Sequence, residues 1–209
     1  ASTINMGGIR VKQALPTQKV QQLDPFLLLH HAKAKYSSRS SAKQQGVGPH
    51  PHRGFAPVTF VIEGEVLHRD SWGNNQIAKK GEVQWMYSGA GIVHSERPTQ
   101  ALADSSGVQE IIQIWINSSS EFKKMPPKYI YLSEDKMPVF WSEDKKIINE
   151  LVAGSYDQYK GSFHPQNEVL IIWSSGTEPG QVSLQIPADY NAMLYLIRGS
   201  AKINGFGNI

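Results

Sequence analysis

Short apolar runs separated by turn-forming residues recur about every ten residues along the chain, a spacing typical of sandwiches and barrels. Few segments place apolar residues three and four positions apart, as a helix would. In the first half the runs predict strands at 58–62, 66–69, 81–87, 92–94 and 108–116. The pattern therefore predicts an all-β, or mostly β, protein.

Two of these runs are separated only by Glu63-Gly64-Glu65. Glycine adopts the backbone conformations of tight turns without steric cost. We therefore expect 58–62 and 66–69 to pair as a hairpin around Gly64. A second turn is expected at Gly73-Asn74-Asn75.

The composition changes between residues 117 and 128, where serines and lysines precede Pro126-Pro127. This change predicts a linker at 121–128 between an amino-terminal domain, 1–120, and a carboxy-terminal domain, 129–209. In the second domain we expect a short helix near 143–151 and strands at 168–173, 181–186 and 192–197.

The segment LYLIRGSAKING at 194–205 has the same order of strand, charge, glycine and strand as FVIEGEV at 60–66, which indicates an internal repeat. Asn204-Gly205 predicts a hairpin turn, yet only four residues follow it. The sequence therefore predicts a second domain that is incomplete at its carboxy-terminal end, or whose open edge is covered by something else.

The chain has 209 residues, of which 40% are apolar and 19% charged, which is ordinary for one large or two small globular domains. It has no cysteine, so disulfides, cysteine-based metal sites and a thiol nucleophile are excluded. Any metal must be held by His, Asp or Glu.

A net charge of +3 with lysines in scattered pairs is weak evidence for nucleic acid, and we expect no direct nucleic-acid binding. No apolar run is long enough for a bilayer, and the first residues do not resemble a signal peptide. The expected location is cytoplasmic, or nuclear in a eukaryotic cell.

Two pairs of potential metal ligands stand out, His50 with His52 in GPHPHRGF and His94 with Glu96 in GIVHSE. Residues two apart on a strand point to the same face, so each pair can aim two ligands into one cavity. Three imidazoles and one carboxylate suit a first-row divalent ion and leave two octahedral positions open.

A single histidine is more often a surface or core residue than a ligand, and one HxH pair can arise by chance. The conjunction of two same-face pairs flanked by glycines favours a metal site. Pro51 agrees with this interpretation, because proline within a strand indicates an edge, bend or bulge.

The segments HPHRGF, VTFVIEGEVLHRDSWGN and GEVQWMYSGAGIVHSE closely resemble the pirin family of bicupins. DPFLLLHH and LYLIRGSAKING are similar to further family segments, so the resemblance covers most of the chain. It implies two tandem cupin β-barrels of the jelly-roll type and places the family's metal ligands on His50, His52, His94 and Glu96.

Two features bear on the resemblance. Pirins usually have GFET where this chain has Gly54-Phe55-Ala56-Pro57, so a role near the metal or in the pocket is in doubt at Ala56. The second domain has only His164 and no HxH pair, similar to the metal-free second cupin of pirins.

The resemblance implies one divalent metal, Fe(II) first, with Mn(II), Ni(II), Cu(II) and Zn(II) as alternatives. Pirin-like proteins include quercetin 2,3-dioxygenases, which would make a flavonol and dioxygen the substrates and Glu96 the proton acceptor. Alternatively, some pirins resemble regulators whose metal controls binding to transcription factors or metabolic enzymes. A cupin isomerase, or a metal protein without turnover, is a third hypothesis.

Phe55, Trp85 and Met86 are candidates for lining an apolar pocket above the metal, with Phe55 and Met86 predicted to bind substrate; ordinary barrel packing explains them equally well. For His68-Arg69-Asp70 an ion pair or turn hydrogen bond is favoured over catalysis. The tandem His30-His31 should diverge on a strand and contribute nothing to the metal site.

Overall fold

The computed structural model describes residues 1–6, 9–163 and 165–209. In the first part the strands are β1 Ser2–Met6, β2 Ile9–Leu15, β3 Phe26–Lys35, β4 Val47–His52, β5 Phe55–Glu63, β6 Glu65–Asp70, β7 Asn75–Lys79, β8 Val83–Tyr87, β9 Ile92–Arg97 and β10 Val108–Asn117. The later strands are β11 Lys128–Leu132, β12 Val139–Trp141, β13 Ile147–Ala153, β14 Ser155–Tyr156, β15 Tyr159–Lys160, β16 Ile171–Gly176, β17 Lys202–Ile203 and β18 Gly207–Asn208. One short helix, α1 Gln100–Asp104, and 3-10 turns at Ala42–Gln44 and Glu134–Lys136 complete the elements of the described chain, so the mostly β prediction is confirmed.

A seven-stranded sheet and a four-stranded sheet form the part that carries the candidate ligands. Their strand orders are β1-β2-β3-β10-β5-β8-β11 and β4-β9-β6-β7. Strands β12-β13-β16 form a third sheet, while β14-β15 and β17-β18 pair as short ribbons. Within the described residues, these strands pair with one another in antiparallel fashion throughout.

Strand β5 is buried on both faces, which explains its nearly continuous apolar sequence. Val58 and Phe60 belong to a large apolar cluster that also includes Phe163 and Val169 from the later part of the chain. Val61, which points to the opposite face, packs with Val66 and Ala78 of the four-stranded sheet. One strand therefore contributes to two cores, and the second of these lies between the sheets that carry the candidate site.

The expected hairpin around Gly64 is wrong, because β5 and β6 lie in different sheets. Gly64 has a φ of +74°, and a Cβ there would come within 2.2 Å of the Val108 carbonyl oxygen. The glycine therefore lets the chain pass from one sheet to the other against the start of β10. The expected turn at residues 73–75 does join paired strands, β6 and β7.

The expected helix near 143–151 is also wrong, because Ile147–Ala153 forms β13 and pairs with β12 and β16. Asn149 is fully buried and its amide donates to the Phe140 carbonyl, while Ser174 donates to its side-chain oxygen. The pairing of β13 with a strand on each side outweighs the weak helical preference of the charged residues that precede it. Those charged residues form a turn, in which Lys145 has a φ of +57°.

The expected strand at 168–173 is found a few residues later, as β16, and those at 181–186 and 192–197 are absent from the described chain. In the segment 181–186, backbone N–H groups donate to side chains and not to a neighbouring strand. Asp144 accepts from the Gln181 N–H, and the Tyr156 hydroxyl accepts from the Gln185 N–H. The predicted turn at Asn204-Gly205 does join paired strands, β17 and β18, with Phe206 as a third loop residue.

Residues on both sides of the expected linker share one apolar cluster, in which the ring of Trp85 lies 4.9 Å from that of Phe163. Trp85 is thus a core residue. Residues 118–127 contain no strand, and β11 then adds to the seven-stranded sheet beside β8. The domain limits 1–120 and 129–209 stay a prediction.

A buried carboxylate also connects the two parts. Glu110 of β10 accepts hydrogen bonds from His31, Lys33 and Arg198, at 2.8, 2.9 and 2.6 Å respectively. The other nitrogen of the His31 ring lies 2.8 Å from the Tyr195 hydroxyl. Burial alone would raise the pKa of Glu110, but hydrogen bonds from Lys33 and His31 and the charge of Arg198 lower it to about 2.

We expect Gly64→Ala to lower the free energy of unfolding by about 1–3 kcal/mol more than Gly73→Ala, because only the former forces a side chain into backbone. Gly73 is the matched control, since its φ is +89° and nothing lies within 4 Å of a Cβ there. Urea unfolding followed by fluorescence measures both. Equal decreases in the free energy of unfolding for the two variants would contradict the close approach of Gly64 to the Val108 carbonyl.

We expect Glu110→Gln to lower the free energy of unfolding at pH 7 by about 1–3 kcal/mol. The folded pKa lies below the ordinary value of 4.5, so the stabilisation is complete above pH 4.5 and is lost as the pH falls toward 2. Urea unfolding at pH 7 and pH 3 should therefore show a smaller difference at pH 3. The exposed Glu121→Gln is the control, and a pH-independent difference would contradict this role.

Candidate metal centre

The two pairs of candidate ligands lie on neighbouring strands of the four-stranded sheet. His50 and His52 are on β4, and His94 and Glu96 are on the adjacent β9. His50 lies directly opposite His94 in the antiparallel register. β4 is the edge of its sheet, and its register shifts between Val47 and His50, which agrees with the edge or bulge predicted from Pro51.

The three imidazoles converge as the spacing predicted. Their ring centroids are 4.7 Å apart for His50 and His52, 4.4 Å for His50 and His94, and 4.9 Å for His52 and His94. One ring nitrogen from each lies within 4.8 Å of the others, close enough for one ion to reach all three. His52 and His94 are buried and His50 is half-buried.

The hydrogen bond of His50 indicates which of its nitrogens is free. Its Nδ1 lies 2.8 Å from the Gly48 carbonyl oxygen, which can only accept, so Nδ1 carries the proton. Nε2 of the neutral ring then presents a lone pair, and it lies 3.1 Å from Nε2 of His94. A cation bound between such nitrogens would be favourable.

Burial keeps the other two histidines neutral. Desolvation, followed by the neighbouring imidazoles, lowers the pKa of His52 to about 4 and that of His94 to about 3. Neutral imidazoles are the form that binds a metal, so the cluster offers lone pairs at pH 7. The chemistry of this donor set fits a first-row divalent ion.

Glu96 lies beside this cluster, but its carboxylate is outside the set of mutually close ligand atoms found among the described residues. Oε1 accepts from the Thr59 hydroxyl at 3.1 Å and from the Gln84 amide at 2.7 Å, and Oε2 accepts from the Gln113 amide at 2.7 Å. The carboxylate is therefore buried and held by three neutral donors. Its role as a ligand stays a prediction.

Gln84 and Gln113 were not foreseen as part of the site. Each interrupts an apolar run, VQWM in β8 and IIQIWI in β10. A buried polar side chain needs a hydrogen-bond partner, so the interruption itself was the available signal.

An open depression lies over the histidines. It is lined by His50, Pro51, His52, Arg53, Phe55, Ser71, Gly91, Ile92, Val93 and Trp115. Phe55 and Trp115 are stacked, with ring centroids 4.5 Å apart, and both lie edge-on to His52. Phe55 and Trp115 thus line the depression together, and substrate binding by Phe55 stays a prediction.

The other predicted pocket residue lies elsewhere. Met86 is 3% exposed and does not line the depression. Ala56 is buried in the large apolar cluster, alongside Val58 of the same strand, rather than beside the histidines. The alanine that replaces the usual family glutamate therefore fills an apolar position.

The remaining histidines are placed largely as expected. Nε2 of His68 lies 3.0 Å from Oδ2 of Asp70, the ion pair or turn interaction that was favoured over catalysis. His30 contacts Gln13 while His31 contacts Glu110, so the tandem pair diverges. His164 lies outside the described residues.

A mostly β chain built from packed antiparallel sheets, with a cluster of histidines as a candidate metal site, has a cupin-type fold. The Pirin family model matches residues 8–116, which is just over half of the chain. The chain belongs to the pirin family. Among the described residues no helix is long and apolar enough to cross a membrane.

Relatives agree with this assignment. A tomato (Solanum lycopersicum) pirin-like protein is 33% identical over 193 residues, covering 92% of this chain and 61% of the relative. A Pseudomonas aeruginosa protein whose name gives quercetin 2,3-dioxygenase as its suggested activity is 32% identical over 184 residues, covering 88% of this chain and 64% of its own length. The crystal structure of a quercetin 2,3-dioxygenase from Acinetobacter baumannii matches with a TM-score of 0.69 and 34% identity, covering 78% of this chain and 56% of that chain. This chain therefore spans less than two thirds of the length of these proteins.

We expect His50→Ala or His94→Ala to weaken metal binding at least about tenfold, because each removes one of three converging lone pairs. The measurement is elemental analysis, together with metal titration of the stripped protein. His30→Ala is the control, a buried histidine on β3 that is not part of the cluster. An unchanged metal content in the His94 variant would refute the assignment.

Proposed function

We propose that this chain carries the metal centre of a pirin-type dioxygenase that cleaves quercetin-like flavonols with dioxygen. The observation that carries the proposal is the three-histidine cluster, of which His50 and His52 line an open depression with an aromatic wall. An aromatic wall suits a flat polyphenol, since stacked aromatic pairs gain about 0.5–1.5 kcal/mol beyond the area that they bury. The name of the Acinetobacter structure and that of the Pseudomonas relative support the substrate class.

His50, His52 and His94 would hold the metal, with Glu96 as the proposed fourth ligand. We propose Fe(II), with Mn(II), Ni(II), Cu(II) and Zn(II) as alternatives that the same donor set accepts. When bound, such an ion supplies open coordination positions at which a substrate hydroxyl is polarised and dioxygen is brought close.

The residues of the chain then have separate tasks. Phe55 and Trp115 orient the flavonol rings over the edge of His52. Glu96 is the carboxylate nearest to the cluster in sequence and accepts the proton of the flavonol 3-hydroxyl. Gln84 and Gln113 hold that carboxylate in place by donating to its two oxygens.

The Trp115 side chain is fixed by its own hydrogen bond. Its indole N–H donates to the Gln113 side-chain oxygen at 2.9 Å, while the Gln113 amide donates to Glu96. The aromatic wall of the depression is thus connected to the buried carboxylate by a single side chain. A substrate that stacks on Trp115 therefore contacts an indole ring whose position is fixed by its hydrogen bond to Gln113.

The test is anaerobic loading of the full chain with Fe(II), followed by quercetin and then dioxygen. We expect loss of the flavonol absorbance and release of carbon monoxide well above the rate of free Fe(II), and expect the His94→Ala variant to return to that background. Trp115→Ala should raise KM by a factor of roughly two to ten, the loss of one stacked contact, with a smaller change in kcat.

A correctly loaded protein that does not consume quercetin above the background would overturn the dioxygenase proposal. A metal-dependent regulatory protein would then be the better hypothesis. It is tested by comparing the proteins captured by the loaded wild type with those captured by His94→Ala.

A further inference from the structure

A buried pair of residues lies behind His94, on the side away from His50. His68 and Asp70 are on β6, which pairs with β9 so that Asp70 lies opposite His94. Nδ1 of His68 lies 3.4 Å from Nδ1 of His94, and Nε2 of His68 lies 3.0 Å from Oδ2 of Asp70. The side chains of the pair are 1% and 0% exposed, which excludes solvent from this contact.

The surroundings of Asp70 keep it an acceptor. Oδ1 accepts from the backbone N–H groups of Trp72 and Asn74 at 2.9 and 3.0 Å, and Oδ2 accepts from the Asn74 amide at 2.8 Å. Burial alone would raise the pKa of the Asp70 carboxyl, but the hydrogen bonds from His68 and Asn74 hold it below its usual value. A carboxylate in this form can only accept.

These contacts give a direction to the hydrogen bonds that run from Asp70 through His68 to His94. Because Asp70 accepts, a His68 ring that carries one proton donates from Nε2 and presents Nδ1 as an acceptor. Nδ1 of His94, 3.4 Å away, can donate to it, and in that tautomer Nε2 of His94 carries no proton. That is the nitrogen that lies 3.1 Å from Nε2 of His50.

We propose that His68 and Asp70 are positioning residues that set the tautomer of His94, leaving its Nε2 free to face His50 and His52. The inference deepens the proposed function, on whose metal centre it rests. Tyr129 completes the arrangement, since its ring stacks on His68 with a centroid separation of 4.2 Å and an angle of 17° between planes. The stacking holds the His68 ring in the plane that both of its contacts require.

Asp70→Asn tests the pair with almost no change in shape. The backbone N–H groups of Trp72 and Asn74 require an oxygen at the Oδ1 position, so the new NH₂ group occupies the Oδ2 position and faces His68. The Asn74 side chain, which donates to Oδ2 in the wild type, must then turn to present its own oxygen. His68 must then accept with Nε2 and donate with Nδ1, and His94 must carry its proton on Nε2. The substitution therefore reverses donor and acceptor in each hydrogen bond between residue 70, His68 and His94.

We expect metal binding by Asp70→Asn to be about 10- to 100-fold weaker than in the wild type, the usual effect of losing a group that orients a ligand. Asp104→Asn is the matched control, since it makes the same chemical change on the exposed surface of α1. His68→Phe is a second variant, which retains a ring for stacking on Tyr129 but offers no acceptor to His94.

The second readout needs no metal and no activity. Long-range proton–nitrogen correlation spectra of the histidine rings in the stripped protein report which nitrogen is protonated. We expect His94 to be protonated on Nδ1 in the wild type and in Asp104→Asn, and on Nε2 in Asp70→Asn. The same spectra show whether each variant is folded.

A wild-type His94 protonated on Nε2, or an Asp70→Asn variant that keeps both the wild-type tautomer and the wild-type metal affinity, would overturn the inference. Failure of quercetin turnover has a different signature. In that case the dioxygenase proposal falls, while the tautomer and the metal affinity still follow the Asp70 substitution.

Discussion

The antiparallel pairing of β4 with β9 is the constraint on which the candidate site depends. It places His50 opposite His94 and brings His52 beside both. Because side chains alternate between the faces of a strand, a slip of one residue would turn one pair of ligands away from the other. The apolar residues next to these ligands, such as Ile92, maintain the register, so the packing of the sheet also determines the geometry of the site.

The site also requires the protein to bury polar groups between two sheets, which is unfavourable unless each group has a partner. The chain meets this requirement with side chains from both sheets. Gln84 and Gln113 of the seven-stranded sheet donate to Glu96, and Asp70 of the four-stranded sheet accepts from His68. The histidines thus lie in a polar layer between the two sheets. The residues that border this layer, Gln84, Gln113 and Asp70, belong to three different strands.

The sequence identified the parts of this site that have a local signature. Two pairs spaced two residues apart indicated His50, His52, His94 and Glu96, of which the structure brings the three histidines together, while the role of Glu96 as a ligand stays a prediction. Pro51 correctly indicated an edge strand. Trp115 could not be found in this way, because its proximity to the histidines depends on how distant strands pair. Gln113 interrupts an apolar run, which indicates a buried polar group but not the partner that it contacts. The false hairpin at Gly64 has the same origin, since a glycine between two strands indicates a change of direction but not whether the chain stays in its sheet.

In the later part of the chain, too, strand formation depends on partners that are distant in the sequence. Ile147–Ala153 follows a charged segment, and only its partners β12 and β16 make it a strand. Residues 192–197 show the opposite case, in which Met193, Tyr195 and Ile197 pack against the core at the two-residue spacing of a strand although no strand of the described chain pairs with them. The alternation of apolar residues at 192–197 thus matches the side chains that face inward. Whether the backbone forms a strand depends on a pairing partner, which the local sequence does not specify.

The apolar cluster shared by β5, β8 and Phe163 has a consequence for how the protein can be divided. Val58, Phe60 and Trp85 face the later segment, so a fragment that ended near residue 120 would expose a broad apolar surface on the outside of its main sheet. Such surfaces promote association between molecules. The part that carries the candidate ligands therefore relies on the segment that follows it to cover its main sheet, although His50, His52 and His94 all come from the first part.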